Sequence, residues 1–248
     1  MRSCSFILVY AFFVGIFTLS SAHAVEYTFS PIATTHTVFV YFRGASINDS
    51  GAVTFSGYVP NDVYGLNGTP GTGIFFWNGG SPITVALNQT ADLNSQFTIL
   101  GDSPTINNDG TVAFLAAVAT PGGLLIEYGG IYVWNGATVY SLYEKSETGF
   151  WYTGSPAINN AGTVAFYGRV DAHQRSGIFK GNGGPTTTIA DSASFAQLSE
   201  GEKPSINDSG LVAFSANRAP DSDPGIFVGD GGPITTVADT SGQFSDFL

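Results

Sequence analysis

The sequence predicts an all-β protein built as a propeller-like tandem repeat of four blades. Three observations carry that prediction. A core motif occurs four times, running from Ser46 to Phe55, Pro104 to Phe114, Pro156 to Phe166 and Pro204 to Phe214. Its isoleucines, Ile47, Ile106, Ile158 and Ile206, are spaced by 59, 52 and 48 residues, a period that suits propeller blades. No stretch beyond residue 24 has a helical period of apolar residues. An elongated β-solenoid is the alternative, though its repeats are ordinarily shorter, with one strand per face.

Taken in order, residues 1–24 form a signal-like segment. Arg2 precedes an apolar run from Phe6 to Leu19, and Ala22-His23-Ala24 supplies a small-residue cleavage site. The run is short for a membrane span, which needs about 20 apolar residues; a retained N-terminal anchor is the other reading. The mature chain would run from Val25 to Leu248. Residues 25–45 then read as N-terminal strands that complete or flank the array, over Thr28 to Ala33 and Thr37 to Phe42, because both are aromatic and β-branched.

Residues 46–248 hold four repeats, beginning near 46, 104, 156 and 204. In each, an Asn-x-x-Gly turn leads into an alternating strand such as Val112 to Ala117. A variable loop follows. A glycine then opens a second strand, at Gly73 to Trp77, Gly130 to Trp134, Gly177 to Lys180 and Gly225 to Val228. That strand ends at Asn78-Gly79, Asn135-Gly136, Asn182-Gly183 or Asp230-Gly231, a strong hairpin signal, and a third strand completes the hairpin. The short Pro-x-Ile run supplies a fourth, inner strand. The tail Gly242 to Leu248 resembles the linker at Ser95 to Leu100. The array is therefore either a small closed ring or an incomplete, open one whose exposed edge would pair with another chain.

Asn48 to Phe55, Asn107 to Phe114, Asn159 to Phe166 and Asn207 to Phe214 resemble the repeats of the bacterial NxxGxxAF (choice-of-anchor) secreted proteins, with Thr54 standing where the pattern has Ala. The units are also similar in pattern to the blades of TolB-type propellers. The resemblance implies a secreted repeat protein and brings no catalytic residue with it. The residues up to Leu248 include no apolar or basic sorting tail, so the anchoring that the family name implies is not expected from them.

Composition narrows the function. The formal net charge is −11, and no Lys or Arg occurs between Arg43 and Lys145. Nucleic acid is thus excluded as an expected partner, since it needs a basic stripe. An anionic membrane surface is disfavoured on the same ground. The single cysteine, Cys4, leaves with the signal, so no disulfide or thiolate metal site is expected, and a periplasmic or extracellular bacterial setting fits.

Asp49-Ser50-Gly51 and Asp208-Ser209-Gly210 match the D-[ST]-G triplet of aspartic proteases. Asn108-Asp109-Gly110 and Asn160-Ala161-Gly162 occupy the same place in the other repeats, so the position demands a turn and not a carboxylate. His36 and His173 lack companions at ligand spacing, and Asp221-Ser222-Asp223 lacks the rest of a calcium loop, so no metal site and no cofactor is expected. Neither a GxSxG elbow nor a P-loop is present. The N-x-[ST] triplets at Asn48, Asn67, Asn88 and Asn207 matter only in a glycosylating host.

Aromatic residues are the remaining lead. Trp77 and Trp134 occupy equivalent positions beside the hairpin turns of two successive repeats, and Trp151 and Tyr152 form a second pair. These four are the candidate ligand-binding residues, by stacking on sugars or anchoring a protein, against the alternative that they pack in the core. The expected function is a non-catalytic secreted or surface scaffold that binds a protein partner. A glycan-binding propeller that uses the rim tryptophans is the runner-up, and a hydrolase with a central site is least favoured.

Overall fold

The computed structural model describes residues 28, 30–35, 38–60, 70–118, 129–144, 149–170, 175–198, 203–220, 223–241 and 244. The signal-like segment 1–24, His36, His173, Asn67, Asp221, Ser222 and residues 245–248 lie outside them. The chain divides into two compact units, Met1–Pro31 and Ile32–Leu248, and every strand belongs to the second.

Nineteen strands and no helix are present among the described residues, arranged as four antiparallel sheets. The first blade has the order β1 (Tyr41–Ile47), β2 (Val53–Val59), β3 (Gly71–Trp77), β4 (Ile83–Leu87). The second comprises β5 (Phe97–Leu100), β6 (Thr105–Ile106), β7 (Val112–Val118), β8 (Gly130–Trp134) and β9 (Val139–Tyr143). The third has β10 (Tyr152–Thr153), β11 (Ala157–Ile158), β12 (Val164–Arg169), β13 (Ser176–Gly181) and β14 (Thr187–Asp191). The fourth has β15 (Phe195–Leu198), β16 (Ser205–Ile206), β17 (Val212–Arg218), β18 (Asp223–Gly229) and β19 (Thr235–Asp239). In blades two to four the linker and the Pro-x-Ile run both pair with the motif strand, so the inner strand is made in two pieces.

The expected strand at Thr28 to Ala33 does not form among its described residues, and the next begins only at Tyr41. Pro31 has no N–H to give to a ladder. Instead Ile32, Ala33 and Phe42 pack on the front of the first blade.

The motif glycines Gly51, Gly110, Gly162 and Gly210 all have φ between +76° and +83°, which any Cβ would strain. Each lets the preceding asparagine close a tight loop, as in Gly110 N–H to Asn107 O at 3.1 Å and Asn107 N–H to Thr111 O at 3.1 Å. A bulge falls at the same place in every outer hairpin, between Ile74 and Phe75, Ile131 and Tyr132, Ile178 and Phe179, and Ile226 and Phe227. Such bulges add twist to the sheet.

Each blade has a front face built on three rings: Phe39, Phe55 and Phe75; Phe97, Phe114 and Tyr132; Phe150, Phe166 and Phe179; Phe195, Phe214 and Phe227. The linker ring meets the others edge-on, as at Phe97 and Tyr132, 4.9 Å apart at 84°, an orientation the ring quadrupoles favour. The front face of blades two, three and four is buried against the back face of the blade before it. The inter-blade packing runs from first to second to third to fourth, and among the described residues the array is not a closed ring.

Candidate functional site

Asparagines stitch the blades together along the motif turns. Asn48 Nδ2 donates to Asn107 O at 3.0 Å, Asn107 Nδ2 to Asn159 O at 3.2 Å, and Asn159 Nδ2 to Asn207 O at 3.0 Å. Each Oδ1 meanwhile accepts the amide four residues on, from Ala52, Thr111, Thr163 and Leu211. Aspartate would supply the acceptor and not the donor, which explains asparagine in the first three repeats. A parallel rail joins the next position. The amides of Asp49, Asn108 and Asn160 donate to the side-chain oxygens of Asn108, Asn160 and Asp208. Asp49 and Asp208 therefore stand at opposite ends of the rail with two amides between them and cannot share a proton, so the two triplets are turns. Hydrogen bonds from Asn160 hold the Asp208 carboxyl below the usual range.

The four candidate aromatics are not gathered at one place. Trp77 and Trp134 lie in register with Val53 and Val112, at the motif-turn end of their sheets. Tyr152 pairs with Arg169 at the other end of the third blade, and Trp151 precedes it. Trp134 is only 8% exposed and its ring lies 5.0 Å from Phe76 of the preceding blade, so it is a core residue. Trp77, Trp151 and Tyr152 are half-buried. Where the third blade has Gly181 instead of tryptophan, the Tyr143 phenol of the second blade fills the space, taking Gly183 N–H at 3.1 Å and donating to Gly184 O at 3.2 Å. Burial pushes that phenol above its ordinary pKa.

A groove of about 490 Å³ runs between the third and fourth blades beside Asp191 and Arg218. Both side chains are engaged in structure. Arg218 Nη2 donates to Thr236 Oγ1 at 3.0 Å with its guanidinium 5.0 Å from the Phe227 ring, and Asp191 Oδ1 accepts the Ala193 amide. No group of three metal-ligating side chains occurs among the described residues. No helix among them is long and apolar enough to cross a membrane. At the first blade, Tyr41 and Tyr58 stack at 3.9 Å beside Arg43, which pairs with Asp102 at 3.5 Å, a surface cluster that periodicity does not reveal.

A further departure from the repeat lies on the back of the fourth blade. Val237 is 62% exposed, whereas Ile189 at the same position of the third blade is 4% exposed. Leu211 is 38% exposed against 2% for Ala52. Ala213, Ile226 and Val228 are half-buried, while Ala165 and Ile178 are buried. The face carries no charged side chain among these positions. It is the same surface that seats the following blade at each of the three junctions.

A family model matches residues 14–149 and 144–246, nearly the whole chain. The chain belongs to the family of unknown function DUF7453. No curated protein matches this DUF7453 member. Solved propellers resemble it in fold. Prolyl oligopeptidase B from Galerina marginata matches with a TM-score of 0.52 and 12% identity, over 82% of this chain and 28% of that one. The propeller domain of the trilobed protease from Pyrococcus furiosus, described as an open velcro topology, matches at 0.46 and 14%, over 78% and 52%. A Hadza microbial sialidase matches at 0.45 and 11%, over 78% and 45%. The DUF7453 chain thus spans about half, or less, of the solved chains it matches, and at these identities the likeness is one of fold.

Proposed function

We propose that this protein is a secreted, non-catalytic scaffold that holds another protein on the back face of its fourth blade. The observation that supports this is the exposure of Val237 and Leu211, where Ile189 of the third blade and Ala52 of the first are buried, with half-buried Ile226 and Val228 on the same face. A monomeric protein rarely leaves such a set of aliphatic side chains contiguous and wet, and contiguous apolar patches mark interaction sites. Absence of a charge in the patch suits an interface core, from which charged residues are depleted. Secretion rests on the signal-like segment of residues 1–24.

The test places a photo-crosslinker on a Val237→Cys variant, in which the mature chain has a single thiol, and exposes it to the medium of the source cells. A discrete protein adduct that is lost in a variant carrying Val228→Asp, with unchanged melting temperature, is the expected result. Turnover of any member of a peptide and glycoside panel by the purified chain, or no adduct at all, refutes the reading.

A further inference from the structure

The partner's chemistry is written in the bonds that the fourth blade leaves unmade. We infer that its back face docks the front face of another blade of this same repeat type, carried on a partner polypeptide; this rests on the scaffold reading above. Three donors point to such an occupant. Asn48, Asn107 and Asn159 each give Nδ2 to the turn carbonyl of the next blade, and Asn207 Nδ2 has no acceptor among the described residues. The amides of Asp49, Asn108 and Asn160 each reach the next blade's Oδ1, and the Asp208 amide has no such acceptor there. Ser56 Oγ donates to Asp102 O of the following blade at 3.0 Å, whereas Ser215, at the same position in the fourth blade, has a shielded Oγ with no partner. Shielded polar groups are costly when unpaired, so what covers this face must bring acceptors as well as apolar area.

A blade front supplies both: three aromatic rings to cover Ile226, Val228 and Val237, and an Asx turn whose carbonyl takes a second hydrogen bond and whose next side-chain oxygen accepts an amide, as at the existing junctions. The first blade of a second copy fits poorly. Its ring trio already lies under Ile32, Ala33 and Phe42. It would also set Asp49 as the acceptor opposite Asp208, two carboxylates where each existing rung has at least one amide side chain. The occupant therefore carries asparagine and not aspartate at that turn position.

The experiment uses a chain in which a copy of residues 196–241, its Asp208 counterpart changed to Asn, is joined after Phe244. Val237→Cys in the original fourth blade reports coverage by its rate of thiol labelling. Seating of the added blade should slow labelling by at least about tenfold relative to the four-blade Val237→Cys chain. Asn207→Asp in the longer chain should restore part of that rate. An unchanged rate in a chain whose added repeat is folded by hydrogen exchange overturns the proposal and leaves the scaffold reading to the crosslinking result. Light scattering of the natural chain gives the other arm: a monomer supports a foreign partner. A dimer that Val228→Asp dissolves identifies a second copy as the occupant and overturns this assignment.

Discussion

Asn159 Nδ2 lies 3.0 Å from the carbonyl oxygen of Asn207, crossing from the third blade to the fourth, while its own Oδ1 closes the turn at Thr163. One buried side chain thus holds both a local loop and the blade that follows. Asn159→Asp keeps the acceptor, loses the donor and sets a carboxylate against a carbonyl. It should destabilise the protein by about 2–3 kcal/mol. Asn207→Asp, whose Nδ2 has nothing to reach, should cost less than about 1 kcal/mol. Urea denaturation of the two variants measures the difference, and equal losses would mean that the inter-blade bond contributes little.

Gly181 and Tyr143 form a second coupled pair. A Cβ at position 181 meets the Tyr143 phenol oxygen, so Gly181→Ala should cost about 1–3 kcal/mol. In a Tyr143→Phe background the oxygen is gone, and the same substitution should cost markedly less. A double-mutant cycle by thermal melting reads the coupling as a sub-additive total.

Ile189 and Val237 occupy one position of the repeat in two environments. Ile189→Thr places a hydroxyl in a sealed junction and should cost about 2 kcal/mol or more. Val237→Thr stays within about 0.5 kcal/mol, as surface substitutions do. A large loss at Val237 would show that the fourth blade's back is already covered in the isolated chain.

Acid should loosen the far end of the rail first. The Asp208 carboxyl is held below its ordinary value by the amide and side chain of Asn160. A depressed folded-state pKa contributes stability above the unfolded value, near ~3.9, and that contribution fades as pH falls through the lower folded one. The melting temperature of the natural chain should therefore drop more steeply below about pH 4 than that of an Asp208→Asn variant, which has no carboxyl to protonate there. Identical pH profiles would remove Asp208 from the acid response.

Much of the fold was legible because each repeat restates the same local chemistry. The Asn-x-x-Gly turns, the glycine-opened strands and the Gly hairpins fall where their composition places them, and the positive φ of Gly51 and its counterparts is what such turns demand. The asparagine staple was not read, although a signal existed: asparagine opens all four turns while the next position is Asp in two repeats and Asn in the other two. The linker rings were missed for a similar reason. Phe39, Phe97, Phe150 and Phe195 precede their motif phenylalanines by sixteen to nineteen residues, a spacing that drifts with loop length and so escapes a short window. Trp134 shows the limit in the other direction. Its likeness to Trp77 is real in register, yet only Trp134 has a preceding blade to bury it.

The junctions also keep the blades from trading places. The second blade brings a tryptophan to meet Phe76, the third brings Gly181 to clear Tyr143, and at the fourth a side chain on Gly229 would press on Ile189. Moving the second repeat into the third slot would drive an indole into a phenol, and moving the third into the second would leave a hole beside Phe76. The array thus carries a sequence-coded serial order, one key per lock, so insertion or loss of an internal repeat would have to be matched by changes on both neighbours, whereas the fourth blade's outer side has no neighbour in the array to match and answers only to its docking partner.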